Sequence, residues 1–313
     1  MDRIFSFYFA LPNDNAFGII TKAFNRLVAK AIKIYFDLNF ISYLDSNRDK
    51  YTLSLNTEKR DCKVIVSLTT YPARINEVWI VIECMFRQLY RPDKVILWLS
   101  KPQFEGIDLP DRLKTLEKRG LEICFVEDDL RSHKKYFYAV QQYPNDIIIT
   151  VDDDVYYPKN IVSTLVSYHE KNSDCIISNR GHKITTDALN GKILPYKLWK
   201  KNIKKNKSSF FLVPTGVGGV LYPPNSLSQR IFDADLLKKL CFLADDLWLK
   251  VGSLLMNKKV IVTGVFSQTF IAIGKTQKTN LHTLNSKQGN NNNQFRNILD
   301  YFELGNMEKF RKG

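Results

Sequence analysis

The chain has 313 residues, 44% hydrophobic and 25% charged, an ordinary globular balance with room for one large α/β domain or two small ones. A net charge of +14 points to polyanionic partners such as nucleotides, nucleic acid or an anionic membrane surface. Five dispersed cysteines without a CxxC pair or Cys/His cluster argue against zinc, and no apolar run approaches the roughly 20 residues of a membrane span. The first residues lack the basic start, apolar centre and small-residue cleavage site of an export signal. A cytoplasmic, reducing location is expected.

Residues 1–60 form a lead-in. Phe17, Ile20, Phe24, Leu27, Val28, Ala31, Ile34 and Tyr35 recur three and four apart, a helical stripe, with Lys22, Arg26, Lys30 and Lys33 on the opposite face. Two readings are open: a helix lying on an anionic membrane at its inner face, or a helix packed on the catalytic domain with its basic side in water. Residues 45–61 are polar and read as a linker.

From Lys63 the pattern alternates. Strands are predicted over 64–68, 94–99, 121–126 and 146–151, with a fifth from 176. Helices are predicted over 77–89, 110–119, 134–142 and from 158 to about 170. Strand–helix alternation implies βαβ units and a mostly parallel sheet. Residues 182–213 read as a long, mobile basic loop, with Lys197, Lys200, Lys201, Lys204, Lys205 and Lys207 around Trp199. A Gly- and Pro-rich stretch, 214–224, follows. Residues 285–294 are polar and are expected to be flexible.

Asp152-Asp153-Asp154 ends the apolar run Ile147–Val151. Three adjacent carboxylates repel one another unless a cation offsets them. A hard divalent ion does so with oxygen ligands while leaving positions for substrate phosphates, and open α/β sheets bind ligands at strand carboxyl ends. The competing reading is a solvated acidic turn. Asp245-Asp246 opens a second helical pattern, where acidic residues also suit a helix start. One carboxylate cluster for metal and phosphate plus a separate carboxylate to take a proton is the minimum set for moving a group from a nucleoside diphosphate to a hydroxyl. Lys134 and Lys135 precede the acidic strand and face either a diphosphate or solvent. His282 is a candidate late metal ligand, against a purely structural or exposed histidine.

Together VIVSLTTYPARI (64–75), DLRSHKKYFYA (129–139), NDIIITVDDDVYYP (145–158), TGVGGVLYPP (215–224) and ADDLWL (244–249) resemble bacterial glycosyltransferases of the GT-A fold, near the family 2 type. The resemblance covers about residues 61–302, leaving the N-terminal helical extension and a basic tail, 303–313. It implies a nucleotide-sugar donor, with a UDP-sugar favoured, Mn2+ or Mg2+, and a glycan or glycolipid acceptor. It implies that Thr70, Tyr71 and Arg74 line the nucleotide pocket and that Lys135 reaches the nucleotide or diphosphate. Asp152 and Asp154 fill the outer positions of a DxD motif, with Asp154 favoured as the direct ligand and Asp153 in the same donor-binding set. Asp246 matches the base of inverting relatives, with Asp245 in place of their Glu. The family's base-reading Asp after the second strand is missing; Asp128 or Asp129 is the substitute.

Two other classes are weighed. A sugar nucleotidyltransferase would need a Gly-rich basic loop after the first strand, and LTTYPARI is not one. A non-catalytic polyanion- or membrane-binding module would explain the charge but not the acidic strand end, and no aromatic–basic repeat supports nucleic-acid binding.

Overall fold

A computed structural model of the chain describes every residue except 12–17, 48–54, 205–206, 267, 279–289, 306, 308–309 and 311–313, and the side chains of 18–22 and 278. Two helices lead, α1 (Asp2–Ala10) and α2 (Gly18–Ser46). The alternating part follows with β1 (Val64–Thr69), α3 (Val78–Phe86), β2 (Lys94–Ser100), α4 (Lys101–Phe104), α5 (Asp111–Glu117) and β3 (Leu121–Val126). It continues through α6 (Lys134–Gln142), β4 (Ile147–Thr150), β5 (Val155–Tyr156), α7 (Ile161–His169) and β6 (Ile176–Ser178). The remainder comprises β7 (Gly181–Lys183), β8 (Leu212–Pro214), β9 (Val220–Tyr222), α8 (Ala234–Cys241), α9 (Asp245–Leu255), β10 (Val260–Val262), β11 (Ile271–Ala272) and α10 (Asn290–Tyr301).

Seven strands form one sheet in the order β10-β6-β9-β4-β1-β2-β3. β1 pairs in parallel with β2 and β4, β2 with β3, and β10 with β6. The expected α/β class with a mostly parallel sheet is therefore observed. Its apolar strands explain this arrangement: β1 and β4 are buried along nearly their whole length, which requires cover on both faces. α3 supplies part of it, and with apolar residues nearly all round it is buried throughout.

One strand breaks the parallel rule. β9 lies antiparallel between β4 and β6, with Thr150 opposite Val220. An antiparallel strand starts where its parallel neighbours end. The glycine-rich turn before β9 is thereby delivered to the edge where β4 releases its three aspartates. Two short ribbons, β5 with β11 and β7 with β8, flank the same end.

The lead-in helices share the main core. Phe5, Tyr8, Ile32, Phe36, Phe40 and Leu44 pack with Tyr156, Tyr157 and residues of α3. The core-facing row of α2 thus runs through Ile32, Phe36, Phe40 and Leu44, whereas Phe24, Leu27, Ile34 and Tyr35 of the expected stripe stay exposed. The polar stretch expected to be flexible enters α10 from Asn290, and Phe295, Ile298 and Leu299 bury its apolar side. Leu304, Met307 and Phe310 of the basic tail are buried as well.

Candidate active site

At the end of β4 each aspartate takes a different partner. The Asp152 amide donates to the hydroxyl of the buried Tyr157 (3.1 Å), so the tyrosine after the motif holds its turn. Asp153 turns inward, accepting from Thr70 Oγ1 (2.6 Å) and Arg74 Nη1 (2.6 Å). Asp154 accepts from Gln277 Nε2 (3.2 Å) and lies 3.1 Å from Arg74 Nη1. Burial, followed by the charges of Asp153 and Asp152, pushes the Asp154 carboxyl up to about 6.

Lys135 ties this strand end to the second acid pair. It sits on the first turn of α6, buried, with its ammonium 2.7 Å from Asp152 Oδ1 and 2.9 Å from Asp245 Oδ2. Burial works against the charged ammonium, but Asp152, Asp245 and Asp246 outweigh it and hold the proton far more tightly than on an ordinary lysine. The side chain expected to reach a diphosphate is therefore a cross-brace between two acid motifs.

Asp245 and Asp246 open α9, and their adjacent side chains take different partners. Asp245 faces Lys135 and His133. Burial pushes its carboxyl up, but those two groups outweigh burial and leave it below the usual carboxylate range. Asp246 accepts from the Gly216 amide (3.0 Å). Burial first, then the charge of Asp245, pushes it up to about 8. The helix-start amides alone would predict an ionised Asp246; desolvation and the neighbouring carboxylate override them.

Gly216 is required by this closeness. A Cβ there would stand 2.8 Å from Asp152 Oδ1 and 2.9 Å from Lys135 Nζ. Across Asp246 lies Arg180, two residues past β6. It donates from Nη1 to Thr215 Oγ1 (3.0 Å), and its charge couples to Asp246, Tyr196 and Asp152. Sequence reasoning passed over Arg180. The signal was a basic side chain just beyond a strand that runs the same way as β4.

The other candidates scatter. Thr70 is buried on Asp153, and Tyr71 is half-buried with its ring 5.4 Å from the Arg74 guanidinium. Asp128 is turned outward onto Lys238 (3.0 Å). Asp129 instead receives Lys134 (2.6 Å) and Gln103 (2.8 Å). His282 and Lys205 lie outside the described residues. The basic segment corrects the expectation of an unpacked loop. Trp199 is buried, donating to the Leu194 carbonyl (2.8 Å) and packing on Tyr196 and Phe295, while the Lys200 backbone pairs with Lys183. An isolated tryptophan among lysines carries no period, so its burial was not legible.

Among the described residues no three His, Cys, Asp or Glu side chains converge as a ready-made metal cage. A divalent ion bound jointly with substrate phosphates needs only one or two carboxylates. Five carboxylates here face three cations (Asp152, Asp153, Asp154, Asp245 and Asp246 against Lys135, Arg74 and Arg180). Burial first, and the neighbouring carboxylates next, raise Asp154 and Asp246, so added positive charge at this strand end would be favourable. Asp152 and Asp154 therefore fit such an ion.

No protein-family model and no curated protein matches the chain. Among solved structures, S. aureus TarS 1–349 is similar at 16% identity and TM-score 0.38, over 66% of this chain and 59% of that one. A CMP:2-keto-3-deoxy-manno-octonic acid synthetase complexed with CTP matches at 10% identity and TM-score 0.38, over 65% and 89%. An apo UDP-glucose pyrophosphorylase matches at 10% identity and TM-score 0.36, over 77% and 98%. The chain thus spans under two thirds of the TarS structure. At these scores the likeness supports no assignment of activity.

Proposed function

We propose that the protein is an inverting glycosyltransferase of GT-A type. It would move a sugar from a nucleoside-diphosphate donor, a UDP-sugar in the favoured case, to a hydroxyl of a glycan or glycolipid acceptor. The observation that carries this reading is Asp246. It is a carboxyl held by the Gly216 amide (3.0 Å) beside Asp245, with its pKa raised to about 8. Its neighbour Asp245 is tied through Lys135 to Asp152, at the strand end where donor phosphates would sit. A base whose pKa lies near the working pH combines availability with driving force.

Asp152 and Asp154 would hold Mn2+ or Mg2+, which supplies positive charge to the departing diphosphate. Lys135 keeps Asp152 and Asp245 in register. Arg74 fixes Asp153 and steadies Asp154. Asp246 takes the proton of the acceptor hydroxyl, and the Gly216 amide orients the oxygen that does not. Arg180, on the acceptor side of Asp246, favours its ionised form. The hydroxyl oxygen bonds to the anomeric carbon as the bond to the diphosphate breaks, from the opposite face. The base is expected to contribute about 10²–10⁴-fold.

The loop after β1 speaks against sugar nucleotidyl transfer. It has no glycine, and its one arginine, Arg74, is committed to Asp153 and Asp154. A panel of radiolabelled nucleotide sugars, with Mn2+ and with a chelator, separates the two. Metal-dependent release of nucleoside diphosphate, with product of inverted anomeric configuration by NMR, is expected. Pyrophosphate release from a nucleoside triphosphate and a sugar 1-phosphate would replace this reading, and retention would remove Asp246 as the base of a single displacement.

A further inference from the structure

The exposed row of α2 is unexplained by packing. Phe24, Leu27 and Leu38 are 63%, 67% and 73% exposed, with Ile34 and Tyr35 about half exposed between them. These residues recur three, four and seven apart, so they form one face. It is a different face from the Ile32-Phe36-Phe40-Leu44 row that meets the core. A lone exposed leucine needs no explanation; a row of five large apolar side chains does.

By helical spacing Arg26 and Lys30 lie on one flank of this row, between it and the core-facing row. Arg26 and Lys30 are exposed and Lys33 is half-buried. Both described acids of α2 are engaged elsewhere: Asp37 accepts from the Gly274 amide (2.8 Å) and Tyr156 hydroxyl (3.0 Å), and Asp45 pairs with Arg112 (2.7 Å). We propose that this face of α2 docks on an anionic lipid bilayer, its apolar row entering the acyl boundary and Arg26 and Lys30 reaching the headgroups from its flank. Self-association through the same face would bring two basic rims together on a chain of charge +14, which like-charge repulsion disfavours. An anionic bilayer matches both the apolar row and the rim.

The docking helix is also tied to the acid cluster. Gly274, held by Asp37, follows Ile273, whose amide donates to the Asp154 carbonyl (2.8 Å). Docking would therefore act on a helix bonded, through Gly274, to the loop that borders Asp154.

Sedimentation of the full chain with vesicles of phosphatidylcholine, with and without phosphatidylglycerol, tests this. The intact protein is expected to partition onto the mixed vesicles. The double variant Leu27→Glu, Leu38→Glu is expected to lose about tenfold or more of that partitioning with an unchanged melting curve, because both side chains already face solvent. Arg26→Gln with Lys30→Gln is expected to lose only the preference for phosphatidylglycerol. Equal partitioning of wild type and the double-Glu variant would overturn the proposal. So would a wild-type dimer, in analytical ultracentrifugation, that the double-Glu variant abolishes. Vesicle binding is read without turnover, so this proposal and the transfer reaction can fail separately.

Discussion

The two acid motifs are built from the same residue and are compensated differently. At the strand end, Asp153 and Asp154 share Arg74, with Thr70 and Gln277 as further donors, and Asp152 has Lys135. At the helix start, Asp245 shares that single lysine and Asp246 has one backbone amide. The first motif is pinned by side chains from several elements and suits holding a ligand. In the second, one acid is kept ionised and its neighbour is raised to about 8, where protonated and ionised forms exchange near the working pH, which suits moving a proton. Charge compensation, more than residue type, separates the roles.

Lys135 is the point at which the comparison breaks most easily. Lys135→Met would leave Asp152 and Asp245 close together without their cation. Breaking a buried pair by removing one partner costs about 3–5 kcal/mol. A large drop in the urea midpoint is expected, with loss of both donor binding and turnover. A variant that keeps its midpoint and its donor affinity would show that the two motifs are not braced through this lysine.

A smaller effect sharpens the difference between Asp245 and Asp246. The folded state holds the Asp246 proton up to about pH 8, whereas the unfolded chain releases it near 3.8, as an ordinary aspartate does. Between those values the folded state binds more protons, so this group's contribution to stability falls as pH rises and levels off above about 8. Asp246→Asn removes the group and is expected to raise the melting temperature by a few degrees at pH 8.5 relative to wild type, and by little at pH 4. An equal shift at both values would mean that Asp246 carries no raised pKa.

Much of this architecture is legible in the chain because β-branched runs and helical spacing are strong local signals. The strand over 121–126 and the helix over 134–142 match to the residue, and the acidic strand end is visible as a motif. β9 was not legible, since three residues between glycines and prolines carry no period. α2 shows the limit of the periodicity itself. It has two apolar rows, and spacing cannot say which one meets the core. The contrast within Asp245-Asp246 is equally hidden, because it arises from burial and from Lys135 and His133, which are distant in sequence.

The claim that one motif binds and the other reacts is tested most directly by placing Asp154→Asn beside Asp246→Asn. Calorimetry with the nucleoside diphosphate and Mn2+ reads binding, and donor turnover reads chemistry. Asp154→Asn is expected to lose most of the metal-dependent affinity. Asp246→Asn is expected to bind as wild type does and to turn over about 10²-fold or more slowly. Loss of donor affinity in Asp246→Asn, or wild-type turnover in it, would contradict the account.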